Sequence, residues 1–278
     1  MKRIGFAWNP YSKGAPELLA RGRAWCEAHD VEVWDAPGDA RERIGGELHD
    51  TDLVCVLGGD GTFLRTARAI GGSGVPTLGV NLGRVGFLAK VETDGLEGAL
   101  DQVLAGDYAV EDRFRIAARI VRGDGRAEEH ACLNEVVVAR GSRVRMLRLE
   151  VEVSGSHLAT YVADAVVVAT PTGSTAYSFS AGGSILDPRL RNMVITPVAA
   201  YLSPLHSVVA GEDQEVQLTL REAHDGALIS IDGQEDVPMA IGDRVEVRAL
   251  PEPLRMIEPA GSTPFYDLLR TKASLLPY

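Results

Sequence analysis

The run Leu53-Val-Cys-Val-Leu-Gly-Gly-Asp-Gly-Thr62 constrains this chain more than any other segment. Five successive apolar residues suit a strand buried on both faces. Three glycines around one aspartate end it, and Phe63 to Ile70 follows with a helical pattern. Strand, glycine turn and helix in direct succession call for an α/β layer. The turn then lies at the C-terminal edge of the sheet, where open α/β folds bind ligands. Glycine lets backbone N–H groups approach an anion closely, and the new helix points its positive end at the same place. Asp60 is the odd member of such a cradle. A carboxylate beside phosphates is repelled unless it holds a metal or takes a proton, so the turn reads as a place of phosphoryl chemistry. The plainer reading is a tight turn in which Asp60 caps the helix. The motif is neither the nucleotide P-loop, which needs Gly-Lys-Ser/Thr, nor G-x-G-x-x-G.

Strand and helix signals alternate through the early chain. Strands are expected at Ile4–Trp8, Val31–Trp34, Leu53–Leu57 and Thr77–Val80, and helices at Leu18–His29, Phe63–Ile70 and Leu96–Leu104, the last ended by Gly106. This alternation implies a parallel sheet with helices on both faces, a Rossmann-like α/β domain. From Phe114 the pattern changes to short strands with Asp-Gly and Gly-Ser turns, the mark of antiparallel β structure. Strands are expected at Ile116–Val121, Cys132–Val138, Val166–Ala169, Val216–Leu220, Ala227–Ile231 and Val245–Ala249. A hairpin is expected from Leu147–Val153 and Leu158–Val162. The expected organisation is an α/β domain over residues 1–112 and an all-β, sandwich-like domain over 113–250. A segment over 251–278 follows, whose helix, Phe265–Leu275, returns to the first domain.

The net charge of −11 over 278 residues argues against a nucleic-acid or anionic-membrane surface. Cys26, Cys55 and Cys132 are scattered, without zinc spacing, and fit core usage in a reducing compartment. The apolar run after Met1-Lys-Arg breaks at Asn9-Pro10, too early for a signal peptide, and no segment is long enough to span a bilayer. A cytoplasmic protein is expected.

A second informative run is Asp164-Ala-Val-Val-Val-Ala-Thr-Pro-Thr-Gly-Ser-Thr-Ala-Tyr-Ser-Phe-Ser-Ala-Gly-Gly183. An apolar strand feeds a loop with six Ser/Thr hydroxyls and no charge. Small residues let a flat ligand come close, and hydroxyls supply neutral hydrogen bonds. Composition alone fits a surface loop, but Tyr177 and Phe179 have no purpose in a purely solvated linker. Asn134 and Glu135 stand inside an apolar strand, where burial costs free energy unless each finds a partner. A sheet edge or a ribose diol would supply one.

With these pieces in view the chain resembles the bacterial NAD kinases. The matching residues are Gly58-Gly-Asp-Gly-Thr62, Asn81-Leu-Gly-Arg-Val-Gly-Phe87, Asn134-Glu135, Asp164, Thr170 to Tyr177 with Ser180-Ala-Gly-Gly183, and Asp232-Gly-Gln234. The resemblance implies transfer of the ATP γ-phosphoryl to the 2′-hydroxyl of the adenosine ribose of NAD, forming NADP, with Mg²⁺ or another divalent cation. Asp60 would take the hydroxyl proton. Gly58, Gly59, Gly61, Thr62 and Leu64 would belong to the phosphate-loop region, and Phe87 would pack near the adenine. Asn134, Glu135 and Asp164 would hold polar groups of NAD. Thr175, Ala176, Tyr177 and Ser180 would line the nucleotide pocket, with Gln234 nearby and Arg145 as a further ligand contact. Val162 occupies a position linked to the choice of oxidised or reduced cofactor, and Ala165 stands where glycine is common. No carboxylate cluster is set aside for the metal, so phosphate and water would supply much of its coordination. Polyphosphate is an alternative donor, and a homodimer or homotetramer is expected.

Two other readings use the same residues. A lipid or sphingoid kinase shares the glycine–aspartate turn, but it would need an apolar channel and a membrane-facing patch. A dinucleotide sensor would need everything except Asp60. The six histidines show no metal spacing. Ser174 lacks the G-x-S-x-G elbow. The four arginines from Arg140 to Arg148 read as a solvated face.

Overall fold

The alternating early segments form β1 (Arg3–Trp8), α1 (Ala15–Ala28), β2 (Glu32–Pro37), α2 (Arg41–Glu47), β3 (Leu53–Leu57), α3 (Asp60–Ile70), β4 (Thr77–Asn81), β5 (Val91–Glu92), α4 (Leu96–Ala105) and β6 (Tyr108–Arg113). These assignments come from a computed structural model that describes residues 1–83, 86–141, 145–203, 205–224 and 226–274. The β segments that follow are β7 (Ile116–Val121), β8 (Ala127–Cys132), β9 (Glu135–Arg140), β10 (Leu147–Val153), β11 (Ser156–Ala163) and β12 (Ala165–Ala169). After the short helix α5 (Tyr177–Ser180) come β13 (Asn192–Val198), β14 (Val208–Gly211), β15 (Val216–Glu222), β16 (Ala227–Ile231), β17 (Glu235–Met239) and β18 (Arg244–Ala249). The chain closes with β19 (Leu254–Pro259) and α6 (Phe265–Ser274). It divides into two units, Met1–Asp112 with Leu254–Tyr278, and Arg113–Pro253.

The first unit is a sheet in the order β2-β1-β3-β4-β19-β6, with β5 beside β4. β1 pairs in parallel with β2 and β3, and β3 with β4. All five residues of β3 are buried, and each large apolar side chain there contributes about 1.5–3 kcal/mol. α3 turns Phe63, Leu64, Ala67 and Ile70 inward, and α4 ends at Gly106 in the left-handed conformation that favours glycine. The order 2-1-3-4 reverses direction between β1 and β3. That switch point opens a crevice at the C-terminal strand edge, and the Gly58–Thr62 turn lies on it. Two elements of this sheet, β6 and β19, carry no strong sequence signal, and β19 brings α6 back to the first unit.

The second unit holds two antiparallel sheets, β11-β10-β15-β18-β7-β8 and β14-β13-β12-β9-β16-β17. Their facing sides bury Ile116, Val136, Leu149, Val168, Ile195, Ile229 and Val247 in one core. The β10–β11 hairpin turns through Ser154 and Gly155, both at positive φ, as a two-residue hairpin requires.

Two sequence expectations are corrected. α3 starts at Asp60 rather than Phe63. The single strand expected over Cys132–Val138 is two strands: β8 and β9 lie in different sheets, and the chain crosses between them at Leu133-Asn134. The connection from β15 to β16 likewise crosses from one sheet to the other. Asp225 lies outside the described residues, as do Arg84, Val85, Arg143 and Leu275, which fall within segments named above.

Candidate active site

The chemistry of the first unit gathers around Asp60. β3 is fixed at its end by the Gly58 N–H, which donates to Val80 O at 2.9 Å. A Cβ on Gly58 would collide with the Thr62 side chain, so this glycine is required by packing. A Cβ on Gly59 would meet no protein atom within 4 Å, and one on Gly61 only the tip of Arg65. Neither has positive φ. Packing therefore leaves both positions open, and they stand at the first turn of α3, whose N–H groups have no intrahelical acceptor. Thr62 and Leu64 face inward at 2% and 6% exposure, so they shape the turn from beneath.

The Asp60 carboxylate does not cap its own helix; Gly59 holds that position without a side-chain bond. It reaches instead to the loop after β4. The Phe87 N–H donates to Asp60 Oδ2 at 2.9 Å, and the Leu88 and Ala89 N–H groups donate to Oδ1 at 3.1 and 3.4 Å. Gly86 makes this possible, because a Cβ there would overlap the carboxylate. A carboxylate has about four acceptor sites, so the one bond on Oδ2 leaves a lone pair free to accept a proton. Asp60 is half-buried and reachable. Phe87 is backed by α6: its ring lies 6.0 Å from that of Phe265, and Lys272 Nζ stands 4.9 Å from its centroid. Sequence reasoning missed Gly86, Phe265 and Lys272. Only Gly86, just before Phe87, carried a local signal.

The second unit assembles its polar residues at one end of β9 and β12. Asn134 and Glu135, at 9% and 6% exposure, sit at the crossing between sheets. The Thr170 N–H donates to Asn134 O at 2.8 Å, and its hydroxyl donates to Leu133 O at 2.6 Å. Gly173 lies so close that a Cβ would overlap the Asn134 carbonyl. Ser174 is consumed structurally, donating to Pro171 O and accepting from the Leu186 N–H. The loop thereby turns Tyr177, Phe179 and Ser180 outward, with Thr175 and Ala176 half-buried beside them. Gln234 follows the Asp232-Gly233 turn on the same side of β9, because Asp232 bonds the backbone of residues 133–135. Arg113 donates to Thr172 Oγ1 at 3.4 Å, and the buried Arg115 is held below the usual guanidinium range by desolvation. These two arginines flank Phe114 in an apolar stretch, a signal passed over in the sequence.

Asp164 and Arg145 do not join this group. Asp164 stands just before β12, at the end where Ala165 pairs with Ala139, and its Oδ1 accepts from Arg140 Nε at 2.8 Å. Arg145 is exposed and lies 3.4 Å from His224 Nδ1. Five residues of β9 separate that end from Glu135, roughly 17 Å along the strand. Among the described residues no three His, Cys, Asp or Glu side chains are grouped to hold a metal ion.

A carboxylate set among glycines at a helix start, held by the Phe87 N–H with a lone pair left over, suits a kinase that phosphorylates a hydroxyl group. The architecture points to that class, and comparison with known proteins narrows it. Residues 11–108 match the ATP-NAD kinase N-terminal domain and residues 133–259 the ATP-NAD kinase C-terminal domain. The NAD kinase of Heliobacterium modesticaldum is 38% identical over 279 residues, which cover 98% of each chain. The chain belongs to the NAD kinase family. Its fold is shared by yeast NADH kinase complexed with NADH, with a TM-score of 0.89 at 20% identity over 100% of this chain and 89% of that one. It is also shared by the NAD kinase of Archaeoglobus fulgidus in complex with ATP, with a TM-score of 0.81 at 22% identity over 99% and 100%.

Proposed function

We propose that this protein transfers the γ-phosphoryl of ATP to the 2′-hydroxyl of the adenosine ribose of NAD, and that Asp60 accepts the hydroxyl proton. The observation that carries the residue assignment is the Asp60 carboxylate, held by loop N–H groups with a lone pair of Oδ2 left over. A ribose hydroxyl is a weak nucleophile. A fixed carboxylate orients it and takes its proton as the bond to phosphorus forms, contributing roughly 10²–10⁴-fold. Positioning and charge neutralisation do most of the rest. Gly58, Gly59, Gly61 and the first turn of α3 would cradle phosphate oxygens, and Phe87 would pack against the adenine. Asn134, Glu135, Thr175, Ala176, Tyr177, Ser180 and Gln234 would hold the dinucleotide.

A divalent cation would neutralise charge on the transferring phosphoryl group. With no dedicated ligand set among the described residues, the triphosphate and water would hold it. Asp164 and Arg145, which stand apart from that group, would contact a dinucleotide shared in a homodimer or homotetramer. The three free, buried cysteines suit a reducing, cytoplasmic setting. No helix of the described residues is long and apolar enough to cross a membrane.

The test is incubation of purified protein with NAD, Mg²⁺ and ATP or polyphosphate in turn, read by an NADP-specific dehydrogenase. NADP formation with ATP is expected. Binding of NAD without any product from either donor would leave a sensor and overturn the proposal.

A further inference from the structure

Asp232 sits in a strained and fully enclosed place. It has φ +52° without being glycine and is 3% exposed. Its oxygens accept three consecutive backbone N–H bonds at the crossing between sheets. Leu133 donates to Oδ2 at 3.0 Å, and Asn134 and Glu135 donate to Oδ1 at 2.7 and 3.0 Å. The Asp232 N–H answers with a 2.9 Å bond to Glu135 O. Backbone strain of this kind costs about 1–3 kcal/mol and persists where the surroundings enforce it. Here these contacts fix the backbone of Leu133, Asn134 and Glu135.

The same arrangement decides where charge resides. Three N–H donors stabilise a negative charge on Asp232, and Arg115, just ahead of β7, acts on it as well. Glu135 has neither aid. It is buried, its Oε2 has no hydrogen-bond partner, and desolvation followed by repulsion from Asp232 pushes its carboxyl up to about 8. The other charged and titratable groups on the elements around it are Glu111, Asp112 and Arg113 on β6, Glu128, Glu129, His130 and Cys132 on β8, Arg140 at the far end of β9, and Glu235 and Asp236 on β17. His130 lies 3.5 Å from Glu235 and 3.7 Å from Glu128. Asn134 Oδ1 is a second buried atom without a partner, in the adjacent residue. A protonated carboxyl donates and an amide oxygen accepts, and a sugar hydroxyl does both.

We propose that Asp232 is the positioning residue of the dinucleotide site: its carboxylate clamps the backbone of Leu133–Glu135 and keeps Glu135 a neutral acid that donates a hydrogen bond to a ligand oxygen. The inference rests on the reading of NAD as the ligand. The test is the dissociation constant of NAD, measured by calorimetry without ATP between pH 7 and pH 9. Loss of a required proton with a midpoint near 8 weakens binding about tenfold over that interval. Glu135→Gln, which is neutral at every pH, flattens the profile to less than twofold. Asp232→Asn removes the like charge and moves the midpoint to lower pH. Amide exchange reads the clamp in the wild-type protein without any substitution, and slow exchange is expected at Leu133, Asn134 and Glu135. A flat wild-type profile, a slope that survives Glu135→Gln, or fast exchange at those three amides overturns the inference. Failure of NAD to bind at any pH overturns the reading of the ligand instead.

Discussion

Glycines next to one another in this chain do different work, and substitution separates them. Gly86→Ala drives a methyl group into the Asp60 carboxylate, which then loses its three N–H donors. Loss of turnover is expected together with roughly 1–3 kcal/mol of stability, read by urea denaturation. Gly59→Ala meets no protein atom and keeps an ordinary backbone at φ −90°. Its stability is expected within about 0.5 kcal/mol of wild type, while phosphoryl transfer falls because the methyl group stands where phosphate must approach. Glu135 adds a stability signature. Its carboxyl titrates near 8 in the folded protein against an ordinary 4.5. Between those values the folded state holds a proton that the unfolded state has lost. Stability therefore falls as pH rises from about 4.5 to about 8, by up to about 1.4 kcal/mol per unit, and levels off above that window. Glu135→Gln removes this slope from a series of denaturation curves.

At the scale of elements, α6 acts on the site through Phe87 alone among the residues placed there. Phe265→Ala and Lys272→Ala each remove one support of that ring. A several-fold rise in KM for NAD is expected with kcat nearly unchanged, because a cation over an aromatic face is worth about 0.5–1 kcal/mol at an exposed site. The α/β elements were legible in the sequence because each repeats an apolar pattern of its own. The strand β3 and the turn after it stand out because both faces are buried and the glycines cluster. The break between β8 and β9 was not legible. Residues 132–138 read as one apolar strand with Asn134 and Glu135 inside it, and what divides them is Asp232, about a hundred positions later in the chain. β6 and β19 were hidden for a similar reason: the sheet that recruits them supplies the pattern they lack.

For the whole molecule, an excess of acidic residues must bind two anionic nucleotides, so attraction has to be local. The motif residues named the Asp60 carboxylate and most of the unit 2 group. They did not show that Asp164 and Arg145 stand a strand's length away, because spacing along the chain does not report which end of a strand a residue occupies. Chelation by EDTA is expected to abolish NADP formation and leave the circular dichroism spectrum unchanged, since no described cluster of side chains uses a metal to hold the fold. The central claim is narrower: Asp60 takes a proton from the ribose hydroxyl. Asp60→Asn keeps an acceptor oxygen for the loop N–H groups but cannot serve as the base. Its turnover, measured beside its affinity for NAD, is the most direct test. The account predicts a loss of roughly 10²–10⁴-fold in kcat with NAD still bound; a variant that makes NADP at near-normal rate would contradict it.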